Sequence, residues 1–436
     1  MSGIAKILTG LGHTVTGSDL KPGRFLDALE DLGIETWLGH RPDWMPGVDL
    51  VVASSAVPGR DVELAAARAA GVPVWTRPDA LDALTSVMPA IGATGTHGKT
   101  TSTALLVTAL HALGLDPSFL VGGELAALNT GAHLGMRDLF VLEADEAFGT
   151  FRHLHMRGLI VTNIEADHLD FYKNVSALEE SFALVAGRVS GPTVGCIDDP
   201  GVRRLAERIP LITYGTADEA TWRVGNVSHG DWEVRFDLAG RGATYPVRVP
   251  RPGVHIARNA AGVLALLGEL GYDVAAAGAG LEAFAGVRRR YEIRARIEGV
   301  TVVDDYAHHP TEVAATIAAA RLGSFNRVWA VFQPHRYTRT AELAPSFGDP
   351  LAKADRVVVT DIYAADEAPL PGVSGRLVAE SVSAAGGNVD YVPALLDVPE
   401  HLVEHVAPGD LVLLLGAGDI TTIADDIAAL LGGSHE

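Results

Sequence analysis

A glycine-rich stretch at residues 92–103 carries the side chains best suited to chemistry in this chain, in the order Gly-Ala-Thr-Gly-Thr-His-Gly-Lys-Thr-Thr-Ser-Thr. An apolar run at 87–91 precedes it, and another at 104–110 follows it. The pattern predicts a strand, a turn and then a helix, which is the context that a phosphate-binding loop requires. We therefore predict that this stretch holds the phosphates of a nucleotide.

The residues of this loop have separate tasks in such a site. Gly95 and Gly98 can take backbone angles that aim successive N–H groups at one anion, and the helix that begins near Lys99 adds the positive end of its dipole. Lys99 would reach the β and γ phosphates, and the hydroxyl of Thr100 would hold Mg2+. The glycine that usually stands five residues before the Gly-Lys pair is Ala93 here, so the loop is a variant. The alternative is a strand-to-helix turn that binds no ligand.

Two other predicted strands lead to residues that could bind a metal ion. The apolar run at 139–142 leads directly to Glu143, and the run at 159–163 leads to His168 through an acidic stretch. Because active groups of open α/β sheets gather at the carboxyl ends of the strands, both side chains could face the phosphate loop. A carboxylate suits Mg2+, and an imidazole is tolerated when phosphate and water fill the other positions. The alternatives are a solvated acid for Glu143 and a helix-capping or core histidine for His168.

Three histidines in the last third of the chain raise the question of a zinc site. His308 and His309 are adjacent between a predicted strand and a predicted helix, and His335 follows the apolar strand at 327–332. Adjacent residues of an extended segment point to opposite sides, and no second His or Cys pair has ligand spacing. We therefore expect no structural zinc.

Arg336 and Arg339 lie three residues apart, directly after His335. On a turn or at a helix start, two guanidinium groups at this spacing can converge on one carboxylate and bind it through paired hydrogen bonds. From the residues alone, two ordinary surface arginines are an equally good interpretation.

Helical and strand patterns alternate along the chain, which predicts an α/β fold with parallel sheets and flanking helices. The length of 436 residues suits three domains, which we place at 1–90, 91–290 and 291–436, with a basic linker at 287–294. The first residues have a helical pattern, whereas a doubly wound nucleotide-binding unit starts with a strand and a glycine-rich turn. We therefore expect the N-terminal sheet to lack its first strand.

The charge balance limits the partners of the protein. The chain has 34 basic and 54 acidic residues and a formal net charge of −20, which disfavours nonspecific binding to nucleic acid or to an anionic membrane. No apolar run reaches the ~18 residues of a membrane span, and the N-terminus lacks a signal-peptide pattern. Cys196 is the only cysteine, so no internal disulfide can form. We expect a cytoplasmic monomer or weak homodimer.

Five segments, in this order, resemble the motifs of the Mur ligase family. They are Gly95-Thr96-His97-Gly98-Lys99-Thr100-Thr101, Glu143-Ala144-Asp145-Glu146, Thr162-Asn163-Ile164-Glu165-Ala166-Asp167-His168, Asp304-Asp305-Tyr306-Ala307-His308-His309-Pro310-Thr311-Glu312 and Gln333-Pro334-His335-Arg336-Tyr337-Thr338-Arg339-Thr340. The resemblance covers nearly the whole chain, and it is strongest to the branch that adds L-alanine to UDP-N-acetylmuramate.

The resemblance implies an ATP-dependent amide ligase of peptidoglycan synthesis with three domains: an N-terminal Rossmann-like UDP-sugar-binding domain, a central P-loop ATPase domain and a C-terminal Rossmann-like amino-acid domain. It implies that ATP phosphorylates the carboxylate of UDP-N-acetylmuramate, that L-alanine attacks the acyl phosphate, and that Mg2+ is required. The implied catalytic residues are Lys99, Glu143 and His168, and the implied metal ligands are Thr100, Glu143 and His168. ATP binding is implied for Gly95, Thr96, His97, Gly98, Lys99, Thr100, Thr101, Asn259 and Asp305, and amino-acid binding for His308, His335, Arg336 and Arg339.

The chain departs from the family pattern at three places. Ala147-Phe148 stands where the family carries Ser-Asp, Ile256 replaces a common Asn, and the glycine-rich loop for the UDP pyrophosphate would precede Met1. Two alternatives stay open. One is a recycling ligase that joins a preformed peptide to the same sugar nucleotide. Arg336 and Arg339 favour a single amino acid as the substrate over such a peptide. The other is a nucleotide-binding relative without ligase activity.

Overall fold

The computed structural model describes residues 1–433, and the chain divides into two compact units. The first unit comprises Met1–Gly225, Leu238–Tyr245 and Arg258–Leu281. The second comprises Asn226–Asp237, Pro246–Ala257 and the chain from Glu282 onward. Within the described residues, none of the helices is long and apolar enough to cross a membrane.

The N-terminal part of the first unit alternates helices and strands, as its pattern predicts. Its elements are α1 (Ser2–Gly10), β1 (Thr16–Asp19), α2 (Arg24–Glu30), β2 (Glu35–Leu38), β3 (Val51–Ala53), α3 (Val62–Ala69), β4 (Val74–Thr76) and α4 (Arg77–Val87). The strand β1 pairs with β2 and β3 pairs with β4, both in parallel. The predicted parallel pairing is confirmed, but it is divided between two separate two-stranded sheets.

The central part of the chain builds a ten-stranded sheet. Its elements are β5 (Ala90–Thr94), α5 (Lys99–Ala112), β6 (Pro117–Leu125), β7 (Thr130–His133), β8 (Met136–Glu143), β9 (Met156–Val161), α6 (Leu169–Tyr172), α7 (Val175–Ala186), β10 (Thr193–Cys196), α8 (Pro200–Ala206), β11 (Ile212–Gly215), β12 (Trp222–Gly230), β13 (Glu233–Gly240), β14 (Ala243–Val249), α9 (Val254–Glu269) and α10 (Val274–Gly280). The strand order is β14-β13-β12-β11-β10-β9-β5-β8-β6-β7.

The position of β5 in this sheet decides where chemistry can occur. It pairs in parallel with β8 on one side and with β9 on the other, and all five of its residues are buried. The carboxyl ends of the three strands therefore lie side by side, and the loop from β5 to α5 emerges between the ends of its two neighbours. Ligands of open α/β sheets bind at such a place.

The C-terminal part of the second unit forms a six-stranded sheet. Its elements are β15 (Glu292–Ile297), β16 (Val300–Asp305), α11 (Pro310–Ala320), β17 (Val328–Phe332), α12 (Tyr337–Leu351), β18 (Arg356–Val359), α13 (Arg376–Ala384), β19 (Val389–Tyr391), α14 (Val398–Val403), β20 (Leu411–Leu415) and α15 (Ile423–Gly433). The strand order is β15-β16-β20-β17-β18-β19, and only the β15–β16 pair is antiparallel among these pairings.

Helices cover both faces of this sheet, which explains why its strands are apolar throughout. In β20, Leu413 belongs to the core that includes α11, α12 and α13, whereas its neighbours Val412 and Leu414 belong to the core that includes α14 and α15. Successive side chains of a strand point to opposite faces, so a strand buried on both faces needs an unbroken apolar run.

The turn between β12 and β13 also belongs to the second unit. The indole of Trp232 packs against the rings of Phe325 and Tyr291, at centroid distances of 5.5 and 6.3 Å. The guanidinium of Arg296 lies 4.7 Å from the Trp232 ring. These contacts join the turn to the C-terminal part of the same unit.

One element boundary differs from the sequence prediction. The strand β15 begins at Glu292, inside the predicted linker at 287–294, because its pairing with β16 extends it beyond the residues whose local pattern is clear. The helix α9 begins at Val254, so Asn259 lies in its second turn.

Candidate active site

Backbone geometry makes two glycines of the phosphate loop necessary. Gly98 is the N-cap of α5 with φ +83°, and Gly95 has φ +130°, both in the region that side chains disfavour. A Cβ at Gly98 would lie 3.0 Å from Asn259 Oδ1, and one at Gly95 would lie 2.1 Å from Thr162 Oγ1. Asn259 therefore packs directly on the loop, as expected for a residue of the same site.

The end of β9 holds the loop in shape. The side chain of Asn163 accepts a hydrogen bond from His97 N at 2.8 Å and donates one to His97 O at 3.0 Å. The hydroxyl of Thr162 donates to His97 O at 2.6 Å, and Thr96 N donates to Asn163 O at 3.1 Å. The predicted site did not include Thr162 and Asn163, although their place at the end of a buried strand was a usable signal.

The ammonium of Lys99 is folded back over its own loop. Its Nζ donates to the carbonyl oxygens of Gly95 and Thr96, at 2.8 and 3.2 Å. It also donates to both carboxylate oxygens of Glu146, at 2.9 and 2.8 Å, and lies 3.7 Å from Asp145. The side chain of Lys99 is 12% exposed and that of Glu146 only 2% exposed, so the pair is removed from water.

The charges around Lys99 decide its protonation. Burial disfavours the ammonium, but the carboxylates of Glu146, Asp145 and Glu143 outweigh it and raise the pKa of Lys99 above its ordinary value. Burial also raises the pKa of Glu146, to about 7, against the opposing charge of Lys99. Lys99 is therefore protonated at neutral pH, and Glu146 takes up a proton more readily than an ordinary carboxylate.

Thr100 and Glu143 are arranged as two ligands of one magnesium ion would be. The hydroxyl of Thr100 donates to the carboxylate of Glu143, with oxygen–oxygen distances of 3.1 and 3.0 Å. Adjacent ligands of an octahedral Mg2+ with bonds of 2.0–2.1 Å lie about 3.0 Å apart. Gly122 N donates to Glu143 Oε2 at 2.8 Å and fixes the carboxylate. The donors are oxygens at the right separation, so the residues fit this metal.

His168 lies beside the same acidic cluster. It occupies the N-cap position of α6 with a left-handed backbone, φ +54°. Its Nε2 lies 3.8 Å from Glu146 Oε1 and 3.8 Å from Asp167 Oδ2, and its side chain is 29% exposed. A partly exposed imidazole facing carboxylates, on a strained backbone, is typical of a functional position.

The second unit assembles the other predicted residues around His335. The ring of His335 lies 5.8 Å from that of His308 and stacks on that of Tyr363 at 5.6 Å. Its Nδ1 is 3.4 Å from Arg339 Nη1, and the Nδ1 of His308 lies 3.0 Å from Tyr306 O. The sequence did not indicate Tyr363, because it lies in the segment after β18, which carries no recognisable motif.

The two arginines have different neighbours. Arg336 lies 3.4 Å from Glu367 and is 45% exposed at its side chain, whereas Arg339, in the first turn of α12, approaches His335. Their joint contact with one carboxylate therefore stays a prediction.

The histidines of this second cluster are held neutral. Burial, followed by the nearby His308, Arg339 and Arg336, lowers the pKa of His335 to about 4. Burial is also the main cause of a lowered pKa at His308, against the charge of Glu312. At neutral pH both imidazoles can accept a hydrogen bond, and the positive charge of the cluster comes from the arginines.

Asp305 has a structural task here. Its two carboxylate oxygens accept hydrogen bonds from Tyr291 N at 2.9 Å and Ala307 N at 2.8 Å. Burial raises its pKa to about 6. Asp305 thus joins the start of β15 to the turn that carries His308, and its predicted contact with the nucleotide stays a prediction.

The structure therefore brings the predicted residues together in two groups, one in each unit. The first unit holds the loop residues Gly95, Thr96, His97, Gly98, Lys99, Thr100 and Thr101 with Glu143, His168 and Asn259. The second unit holds Asp305, His308, His335, Arg336 and Arg339. Glu146 is the main residue that the sequence-based site lacked.

Three family models match successive parts of the chain. They are the Mur ligase family catalytic domain at residues 1–87, the Mur ligase middle domain at 93–267 and the Mur ligase glutamate ligase domain at 289–418.

Individual relatives match nearly the full length. The chain is 43% identical to a UDP-N-acetylmuramate–L-alanine ligase of Mycolicibacterium vanbaalenii, over 98% of this chain and 93% of that protein. Its fold is similar to the crystal structure of a UDP-N-acetylmuramate-alanine ligase of Thermotoga maritima, with a TM-score of 0.83, 28% identity and coverage of 99% and 96%. A murein peptide ligase of Psychrobacter arcticus matches with a TM-score of 0.71, 24% identity and coverage of 100% and 97%.

Replacing Gly98 by alanine should weaken nucleotide binding specifically. The variant must adopt a left-handed backbone that alanine disfavours. Gly114→Ala is the matched control: its φ is also positive, +75°, but no atom of the described residues lies within 4 Å of the added Cβ. Each substitution should cost about 1 kcal/mol of stability. Only Gly98→Ala also displaces Asn259, so its affinity for ADP, measured by calorimetry, should fall at least about tenfold. Equal affinities for the two variants would contradict the assigned loop.

Neutral His335 should make stability fall on acidification. The unfolded chain takes up this proton near pH 6.5 and the folded chain only near pH 4, so stability is lost as the pH falls through that window. After allowance for partial exposure, the loss between pH 7 and pH 5 is about 1 kcal/mol. In urea titrations, the free energy of unfolding of His335→Gln should therefore fall by about 1 kcal/mol less than that of the wild type between pH 7 and pH 5. The exposed control His13→Gln should behave like the wild type, and identical losses for His335→Gln and wild type would refute the neutral imidazole.

Proposed function

The chain belongs to the Mur ligase family, and from that premise we propose that it joins L-alanine to UDP-N-acetylmuramate at the expense of ATP, in peptidoglycan synthesis. The observation that carries the proposal is the contact of Thr100 and Glu143 beside the Lys99 ammonium, at the carboxyl ends of β5 and β8. This is a site for a magnesium-bound triphosphate. The full-length relatives named for the alanine ligase support the choice of substrates.

The first step uses the phosphate loop. A carboxylate oxygen of UDP-N-acetylmuramate attacks the γ phosphorus of ATP, the new P–O bond forms, and ADP leaves with the electrons of the broken one. Lys99 and the N–H groups at the start of α5 stabilise the charge that develops on the transferred phosphoryl group. Thr100, Glu143 and His168 would hold Mg2+, which would supply further positive charge to this step.

The second step needs a neutral amine. The nitrogen of L-alanine attacks the acyl carbon, the C–N bond forms, phosphate leaves with the carbon–oxygen bond electrons, and one proton passes from the nitrogen to the departing phosphate or to water. An arginine of the second cluster, Arg339 or Arg336, would bind the carboxylate of L-alanine. Neutral His335 and His308 would accept hydrogen bonds from its amino group, which fits their lowered pKa values.

We assign the binding of the three substrates to three parts of the chain. Residues 1–90 would bind the UDP-sugar, 91–290 the ATP, and 291–436 the amino acid, with His97, Thr101, Asn259 and Asp305 contributing to the nucleotide site. Because the reaction consumes ATP, we place it in the cytoplasm.

The competing function is that of a recycling ligase. It is considered because the fold of the chain also resembles that of a murein peptide ligase. Purified protein should be given UDP-N-acetylmuramate, ATP and Mg2+ with either L-alanine or a tripeptide, and the amide product measured by mass spectrometry. We expect product with L-alanine. Product with the tripeptide alone would establish the competing function, and ADP release without any amide would exclude both.

Lys99→Ala should abolish product formation, with kcat/KM falling at least about 1,000-fold because a contact to the transferred group is lost. The buried Glu146 loses its partner, but a carboxyl with a pKa near 7 can take up a proton, so the loss of stability should be only about 1–3 kcal/mol. Circular dichroism should confirm a folded variant. The exposed Lys353→Ala is the control and should keep full activity. A folded Lys99→Ala that still turns over would refute the assignment.

A further inference from the structure

Two exposed phenylalanines contact each other beside the site residues of the first unit. Phe148 is 64% exposed and Phe171 is 39% exposed. Their ring centroids lie 6.1 Å apart with an interplanar angle of 75°, which is the edge-to-face arrangement in which two aromatic rings attract each other. Single exposed apolar residues are ordinary, but a contacting pair beside a candidate active site calls for an explanation.

Phe148 also has an unfavourable backbone conformation. Its φ of +52° and ψ of +21° lie in the left-handed region, which a bulky residue other than glycine rarely adopts. Asparagine or glycine would suit such a backbone better, and a polar residue would suit the exposed position better. The contact of its ring with Phe171 is what distinguishes phenylalanine from those residues.

The ring contact joins two segments that carry site residues. Phe148 follows Glu146 in the segment after β8, and Phe171 lies in α6, which begins directly after His168. Phe171 N donates a hydrogen bond to His168 O at 3.0 Å, so the ring and the imidazole belong to one turn of the chain. The backbone of the first segment also lies close to this ring, since a Cβ at Gly149 would be 3.3 Å from Phe171 Cζ.

Tyr172 adds a second connection between the same two segments. Its ring lies edge-on to that of Phe171 at a centroid distance of 4.9 Å, and its hydroxyl donates to Glu146 O at 2.5 Å. Its backbone N donates to His168 O at 3.0 Å. Phe148, Phe171 and Tyr172 therefore form an aromatic clasp between the segment that carries Glu146 and the helix start that carries His168.

The position of His168 requires a restraint of this kind. The residue has a left-handed backbone, φ +54°, at the beginning of a helix of only four residues. So short a helix does not hold its own conformation, because isolated helical turns are unstable. The Nε2 of His168 nevertheless lies 3.8 Å from Glu146 Oε1, across the two segments. The aromatic clasp supplies the contacts that keep them together.

We propose, on the basis of the magnesium site assigned under the proposed function, that Phe148 and Phe171 are positioning residues for His168. Their rings hold the segment after β8 against α6, and this fixes the imidazole relative to Glu143, so that both side chains can bind one metal ion. Contacts outside the ligand set orient a ligand without touching the metal, and their loss weakens metal binding.

The test is the affinity of the full chain for Mn2+ in the presence of ADP, measured by electron paramagnetic resonance. Mn2+ accepts the carboxylate ligands that suit Mg2+, and a bound imidazole adds a nitrogen modulation to its spin-echo signal. Phe148→Asn removes the ring but suits the left-handed, exposed position. It should weaken Mn2+ binding about tenfold and reduce the nitrogen modulation, whereas the urea midpoint of unfolding should stay unchanged. A merely structural role would not separate metal affinity from stability in this way.

Three further variants sharpen the test. Phe148→Tyr keeps the ring and should retain the wild-type affinity. Phe171→Ala should weaken Mn2+ binding at least as much as Phe148→Asn, and the double variant should bind about as weakly as Phe171→Ala alone, because both substitutions break one contact. Tyr245→Thr is the matched control: it removes a ring that stacks on Trp222 at 6.3 Å, in the edge strand β14, and it should change neither the affinity nor the modulation.

The outcomes separate this inference from the proposed function. A wild type that binds no Mn2+ in the presence of ADP contradicts the nucleotide site itself, and the inference with it. A wild type that binds Mn2+ without nitrogen modulation excludes His168 as a ligand and overturns the role of the two rings. Wild-type affinity and modulation in both Phe148→Asn and Phe171→Ala would overturn the positioning role alone, and so would an equal loss in Tyr245→Thr.

Discussion

The buried ammonium of Lys99 is the interaction on which the first unit's site depends. It is surrounded by Glu146, Asp145 and Glu143, and their combined charge keeps it protonated although burial opposes this. One cation among three carboxyl groups leaves an excess of negative charge, which a bound metal cation would offset. The local charge pattern is therefore compatible with the magnesium-bound nucleotide of the proposed function, despite a net charge of −20 for the whole chain.

Sheet topology places these groups before any ligand is considered. The loop of Gly95 and Gly98 leaves β5, the acids follow β8, and Asn163 and His168 follow β9, the two strands that pair with β5. Because the three strands are parallel, their carboxyl ends meet at one edge. The second sheet repeats the principle: Asp305 ends β16, and His335 follows β17. Rigid, buried strands carry the reactive residues, and short turns set their direction.

The sequence predicted the α/β class, the phosphate loop and the strand ends that carry Glu143 and His168, because each depends on local pattern and on one rule about parallel sheets. It did not identify Glu146 as part of the site. Its contact with Lys99 spans 47 residues, and nothing in the spacing of a loop acid shows that its carboxylate turns inward. The stacking of Tyr363 on His335 and the attachment of Trp232 to Phe325 were missed for the same reason. Distant partners are chosen by packing, which a single sequence does not display.

The central claim is that a carboxylate is activated by phosphoryl transfer at the Lys99 site and is then captured by an amine. It can be tested directly by labelling both carboxylate oxygens of UDP-N-acetylmuramate with 18O and following one turnover with ATP, Mg2+ and L-alanine by mass spectrometry. The account predicts that one labelled oxygen appears in inorganic phosphate and one stays in the amide. Inorganic phosphate without label, formed along with the amide, would contradict it.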